Sequence, residues 1–93
     1  MPKQSLAPGV ADLAPDDSML TPYDYVHLGT YLNLLVADVE GTDWREVSRV
    51  VLRIDPAQDP QRAWRAYSSH FARATWMIEH GKKHLLEDIP SLH

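Results

Sequence analysis

The chain has 93 residues, 44% of them apolar, with 13 acids against nine bases, no cysteine and a formal charge of −4. That length holds one small domain. The lack of thiols excludes a disulfide framework, a thiolate metal site and a cysteine nucleophile. No apolar run approaches the roughly 20 residues of a membrane span, and the N-terminus lacks the basic-then-apolar layout of a secretory signal, so cytoplasm is the expected compartment. The charge is uneven: residues 1–43 carry a net −6, with Lys3 their only base, and residues 44–93 a net +2. A nucleic-acid binder is more often basic overall, because phosphate neutralisation supplies much of its affinity. The two halves therefore point to different partners.

Residues 1–19 combine prolines, a glycine and three aspartates without a sustained period, which reads as a disordered acidic tail, solvated in preference to docked on the basic half. Residues 20–88 read as the folded domain and 89–93 as a C-terminal tail. Thr21 is placed to cap the first helix, with Pro22 at its first position and Asp24 in the first turn, where the helix dipole favours negative charge. This helix is expected to run to about Val39 and to end at Gly41. At about 100° per residue, Tyr25, Leu28, Leu32, Leu35, Val36 and Val39 are assigned to its buried face. Tyr23, His27, Thr30, Leu34 and Asp38 fall on the other side.

Asp43 and Glu46 have the spacing of a capping box for a second helix. Its Trp44, Val47, Val50 and Val51 are assigned inward, and Arg45, Arg49 and Arg53 outward. Ile54-Asp55-Pro56 stops it, since the residue before a proline resists helical geometry. The connection over 54–59 is longer than the three or four residues of an ordinary helix-turn-helix. Asp59 and Pro60 open a third, long helix that Gly81 is expected to close. Its core stripe is Trp64, Tyr67, Phe71, Ala74 and Ile78, flanked by Ala63, His70 and Met77. Arg62, Arg65, Ser69, Arg73, Trp76 and His80 lie opposite. Beyond Gly81 a last short helix ended by Pro90 is a further reading. The fold class expected is all-α, a small three- to four-helix domain with the order of a helix-turn-helix and an extended turn.

Arg45, Arg49, Arg53, Arg62, Arg65 and Arg73 form either a phosphate-contacting face or solvated helix surfaces partly neutralised by Glu46, Asp55 and Asp59. Trp76 lies off the core stripe and is either an interface anchor or covered by the final helix. Tyr23, His27 and Leu34 suggest a second contact strip. His80 and His84 have a metal-binding spacing, but Gly81 interrupts them and no third ligand is positioned, so no metal is expected. No nucleophile elbow or phosphate-cradling glycine loop occurs. Neither an enzyme, a cofactor nor a small-molecule ligand is expected.

Over Leu20–Leu86 several motifs occur in order: Asp24-Tyr25, Leu32-Asn33-Leu34-Leu35, Gly41-Thr42-Asp43-Trp44-Arg45-Glu46-Val47, Ile54-Asp55-Pro56 and Ala74-Thr75-Trp76-Met77. Together they resemble a proteobacterial family first known only as a domain of unknown function, an extended-turn variant of the helix-turn-helix. The resemblance implies two branches. In activators of the FseA type the domain follows another domain and binds DNA through a positive face. Short stand-alone members of the QseM type look like antiactivators. They occupy the surface that the activator's own partner domain would use, and they also restrain a TraR-type quorum-sensing regulator. The regulated process is transfer of integrative and conjugative elements. The stand-alone length, the lack of a preceding domain and the acidic balance place this chain nearest the antiactivator branch. FseA-like and TraR-like activators are then the expected partners. The expected contacts are Tyr23, His27, Tyr31, Leu34, Asp38 and Trp76. The alternative is a DNA-binding regulator that lays its third helix in a major groove.

Overall fold

Thr21 opens the helical part of the chain. Its hydroxyl accepts from the Asp24 N–H at 3.3 Å, and the Asp24 carboxylate accepts from the Thr21 N–H at 2.8 Å, a reciprocal capping box. Pro22 begins helix α1, Pro22–Val26. The computed structural model describes residues 9–87, with side chains as far as His80. The expected tails over 1–8 and 89–93, Pro90, and the His84 side chain lie outside the described residues. Instead of one helix over 22–39 there are two, because the backbone departs from helical geometry at His27 (φ −106°, ψ 22°) before α2, Leu28–Val39. Local bonds tighten this turn. The His27 N–H is shared between the Tyr23 and Asp24 carbonyls, and the His27 ring also bonds to the Tyr23 carbonyl.

Gly41 ends α2 as expected. At φ 76° it adopts the left-handed conformation, so that Gly41 N–H reaches the Asp38 carbonyl and Thr42 N–H the Ala37 carbonyl, a Schellman pair. The Asp43 carboxylate then caps α3, Trp44–Val47, by accepting from the Arg45 N–H at 3.0 Å. Glu46 does not complete the expected capping box; its carboxylate is paired with Arg49. Over Ser48–Leu52 the helix widens into a π turn. Ser48 closes that turn twice, accepting from the Ile54 N–H at 3.1 Å and donating its hydroxyl to the Ile54 carbonyl at 2.7 Å. The wider turn shifts the register, so that Ser48 is buried and Val50, assigned inward from the sequence, is 64% exposed.

The π turn leaves Arg53 at φ 63°, ψ 35°, a left-handed conformation that disfavours residues bearing a Cβ. Arg53→Gly is expected to raise stability by up to about 1 kcal/mol, the relief of strain being partly offset by glycine's greater freedom when unfolded. A higher urea midpoint at unchanged denaturant dependence would show it.

Helix α4 runs Pro60–Glu87, and its first turn is entered through the Asp59 carbonyl, which accepts from the Ala63 N–H at 2.9 Å. Gly81 does not end it, and the expected separate helix after Gly81 is part of α4 as far as Glu87. A glycine in a helix interior costs only about 1 kcal/mol relative to alanine, and Lys82-Lys83-His84-Leu85-Leu86-Glu87 has no breaker to exploit the weak point. No strand occurs among the described residues. The protein is a small all-α domain in which α2 and the π turn pack on α4. Leu34, Val47, Leu52, Ile54, Ala63 and Ala66 form the core. The two alanines bring the α4 backbone close to its neighbours, and Trp44, Tyr67 and Phe71 pack around the margin.

Two helical faces differ from the periodicity reading. On the first-helix segment Tyr25, Leu28, Leu32, Val36 and Val39, assigned to the core, are exposed, and Leu35 is only half-buried. The buried side instead carries Asp24, His27, Thr30, Tyr31 and Leu34. On α4 the buried line is Ala63, Ala66, His70, Arg73 and Ala74, roughly one position round from the expected stripe, so Trp64 and Ile78 are half exposed. The N-terminal segment also differs from a solvated tail. Residues 9–20 form a strap against α1 and α4. Val10 packs on the core, the Ala14 N–H donates to Ser69 Oγ at 3.0 Å, and Asp12 is 2.8 Å from Arg62 Nε.

Candidate protein-binding surface and its buried polar support

The inversion of the first-helix faces has an electrostatic cause. Asp24 sits at the third position of α1 because the capping box needs it there, and its carboxylate is fully buried. Arg73, on α4 and only 4% exposed, meets it in a two-point contact: Nε to Oδ1 at 3.0 Å and a terminal nitrogen to Oδ2 at 2.7 Å. The same guanidinium donates to the Asp17 carbonyl at 2.6 Å and the Met19 carbonyl at 3.0 Å. Tyr31 Oη donates to Asp24 Oδ1 at 2.8 Å, and the Thr21 N–H and hydroxyl reach Oδ2. Burial pushes the Asp24 carboxyl up, but the bonds from Arg73, Thr21 and Tyr31 outweigh it and hold the group well below the usual carboxylate range. Burial, then the bond to Asp24, pushes the Tyr31 phenol up. One ion pair thus ties the strap, α1, α2 and α4 together.

A second chain of bonds runs beside it. The His70 Nδ1–H donates to the Ala66 carbonyl at 2.7 Å, which leaves Nε2 to accept from Tyr23 Oη at 2.6 Å. Tyr23 Oη in turn accepts from the Ala11 N–H at 2.9 Å. His27 stacks on Tyr23 with ring centroids 3.9 Å apart, and its Nε2 lies 3.0 Å from the Gly9 carbonyl. Burial holds the His70 imidazole below its ordinary 6.5, so it is the neutral ring that makes these bonds. The unfolded chain binds a proton at His70 first, and stability is therefore expected to fall as pH drops below about 6.5. A second fall follows below about 4, where the unfolded Asp24 takes up a proton that the folded one resists. Urea midpoints followed from pH 7.5 to 3 should show both stages, and His70→Gln should flatten the upper one.

These supports determine where the expected contact residues lie. His27, Tyr31 and Leu34 are buried, Leu34 completely, so they hold the domain together and are not an outward strip. Tyr23 is half-buried in the same network, and Asp38 is exposed. Trp76 is half-buried. It is sandwiched by its own helix, with the Arg73 guanidinium 4.0 Å from its ring centroid and the His80 ring stacked at 4.7 Å. It borders a cleft of about 520 Å³ between strap residues 14–18 and α4.

The surface that the inversion leaves open is the outer side of α1 and α2. Tyr25 and Leu32 are each 61% exposed, Val39 is 86% exposed, and Val26, Leu28 and Val36 are exposed beside them. Single exposed apolar side chains are ordinary, but several on one side of the same helical segment make it a candidate interaction surface.

One of the six arginines is not on the surface, and three of the others are paired. Arg73 is buried and committed to Asp24. Arg62 is held by Asp12 and Asp59, Arg49 by Glu46 and Arg45 by Asp43. Only Arg53 and Arg65, both exposed, have no acidic partner among the described residues. Neither a protein-family model nor a curated protein sequence matches this chain. Among the described residues no group of three histidines, aspartates or glutamates is placed to hold a metal ion, and no helix is long and apolar enough to cross a membrane.

Periodicity missed Leu28, Leu32, Val36 and Val39 as surface residues because α2 is apolar around most of its circumference, and Tyr25 because the sequence reads α1 and α2 as one helix. No local signal marks them: an acid in the first turn of a helix is ordinarily served by solvent and the helix dipole, so Asp24 does not by itself announce its burial against Arg73.

Proposed function

We propose that this chain is a small cytoplasmic antiactivator that acts by stoichiometric protein–protein binding and has no catalytic role. Its targets would be transcriptional activators, of the FseA-like and TraR-like kinds, that control transfer of an integrative and conjugative element. The observation that carries the binding reading is the open apolar face of α1 and α2 on the acidic half of the chain. A module of this kind competes with the activator's own interdomain pairing once its concentration exceeds the Kd. Its acidic surface disfavours DNA association by the module itself. The motif resemblance supports the choice of target class.

The second reading, a DNA-binding regulator, is favoured by exposed Arg53 and Arg65 with Arg45 and Arg49 nearby in the chain. A mobility-shift series with promoter DNA and purified activator, at low and physiological salt, separates the two. Antiactivation predicts no shift by the protein alone and loss of the activator's shift when the protein is added. A sequence-specific shift by the protein alone, falling steeply with salt, would replace this reading with the second.

A further inference from the structure

Resting on that protein-binding reading, we propose that the outer face of α2 seats a basic amphipathic helix from the partner. The first observation is the spacing. Leu28, Leu32, Leu35 and Val39 follow each other at intervals of four, three and four, the repeat of a helix–helix seam. Such a seam runs nearly parallel to its helix axis, so a second helix crossing at about 20° stays in contact along its length. The 12 residues of α2 give about 18 Å of track at 1.5 Å per residue, enough for three turns of a partner. Beside the seam lies a groove of about 350 Å³ between α2 and the π turn, lined by Val36, Ala37, Val50 and Val51 together with Glu40 and Glu46. It offers holes for the partner's larger side chains.

The second observation is charge. Residues 22–43 contain no lysine or arginine. Glu46 in the groove lining is engaged by Arg49, and Asp43 by Arg45. Asp38 and Glu40, at the end of the seam, have no cationic partner among the described residues. A second copy of this chain would present the same surface about a two-fold axis and bring carboxylates without a cation to meet them. A phosphate backbone is repelled for the same reason. A helix with leucine-like residues on one face and lysine or arginine beside them satisfies both the apolar track and the acidic border.

The test uses the full chain and two labelled 14-residue helical peptides with the same leucine seam, one flanked by lysines and the other by glutamates. Fluorescence anisotropy should show the lysine peptide binding at least about tenfold more tightly than the glutamate peptide. Leu32→Glu should abolish that binding without unfolding the protein, and D38K/E40K should reverse the preference. Equal binding to wild type and Leu32→Glu would overturn the proposal by showing unspecific charge attraction. Failure of both peptides would overturn it too, as would concentration-dependent dimers dissolved by Leu32→Glu, which would make a second copy the occupant. A parallel arm with purified activator distinguishes the two levels of inference. Activator binding that is lost in Leu32→Glu but indifferent to D38K/E40K sinks the basic helix and keeps the antiactivator. Peptide binding as described without activator binding does the reverse.

Discussion

Arg73→Met is expected to cost about 3–5 kcal/mol, the loss typical of stranding one partner of a buried ion pair. Methionine keeps much of the arginine's length but none of its donors. The Asp24 carboxylate, fully buried, would keep the Thr21 and Tyr31 bonds and lose its counter-charge. The carbonyls of Asp17 and Met19 would lose their donor at the same stroke. Against a total stability of about 5–15 kcal/mol for a domain of ordinary size, that is enough to leave the variant marginal. Pairing it with Asp24→Leu removes the stranded charge and should recover part of the loss. Recovery should be incomplete, because the Tyr31 hydroxyl and the two carbonyls stay without their partner. Urea unfolding of the three variants measures this, and amide exchange at Ala11 and Ala14 reports whether the strap has come away. A cost below about 1 kcal/mol for Arg73→Met would mean that the pair does not organise the fold.

The second large effect separates residues two apart on one helix. Leu34→Ala empties a fully buried position at the centre of the core, next to Ala63 and Ala66, and should cost about 2–5 kcal/mol. Leu32→Ala removes a side chain that is 61% exposed and should change stability by no more than about 0.5 kcal/mol. Reversed magnitudes would restore the orientation suggested by periodicity. If the assignments stand, Leu34→Ala reduces partner binding only by unfolding the protein, whereas Leu32→Glu reduces it with the fold intact.

Local chemistry was the legible part of this chain. The Thr21 cap with Pro22, the Gly41 stop and the Asp43 cap are each set by one or two residues acting on the adjacent backbone, and the structure has all three, whereas the second helical segment ends at Leu52, ahead of the expected stop at Ile54-Asp55-Pro56. The orientation of α2 was not legible, since Leu28-Leu32-Leu35-Val39 and His27-Thr30-Tyr31-Leu34 have equally helical spacing. The first line is the more apolar, yet the second is buried, because Asp24 and Arg73 can be paired only on that side. A buried ion pair 49 residues apart in sequence leaves no trace in any local window. The same holds for the strap, whose composition resembles disorder but whose carbonyls serve a guanidinium in the last third of the chain. The π turn is a third case, as nothing around Ser48 announces the added residue that turns Val50 outward.

The long separations at this centre also set an order of events. Asp24 to Arg73, Tyr23 to His70, Asp12 to Arg62 and Ala14 to Ser69 are joined across 47 to 55 residues. None of these bonds can form until α4 exists. Closing loops of that size costs entropy before any contact offsets it, which slows folding relative to a bundle held by neighbours in sequence. On the ribosome the first half of the chain emerges with Asp24 unpaired and both sides of α2 uncovered. The docked strap and the choice between the two faces of α2 are therefore settled late, only after α4 has been made.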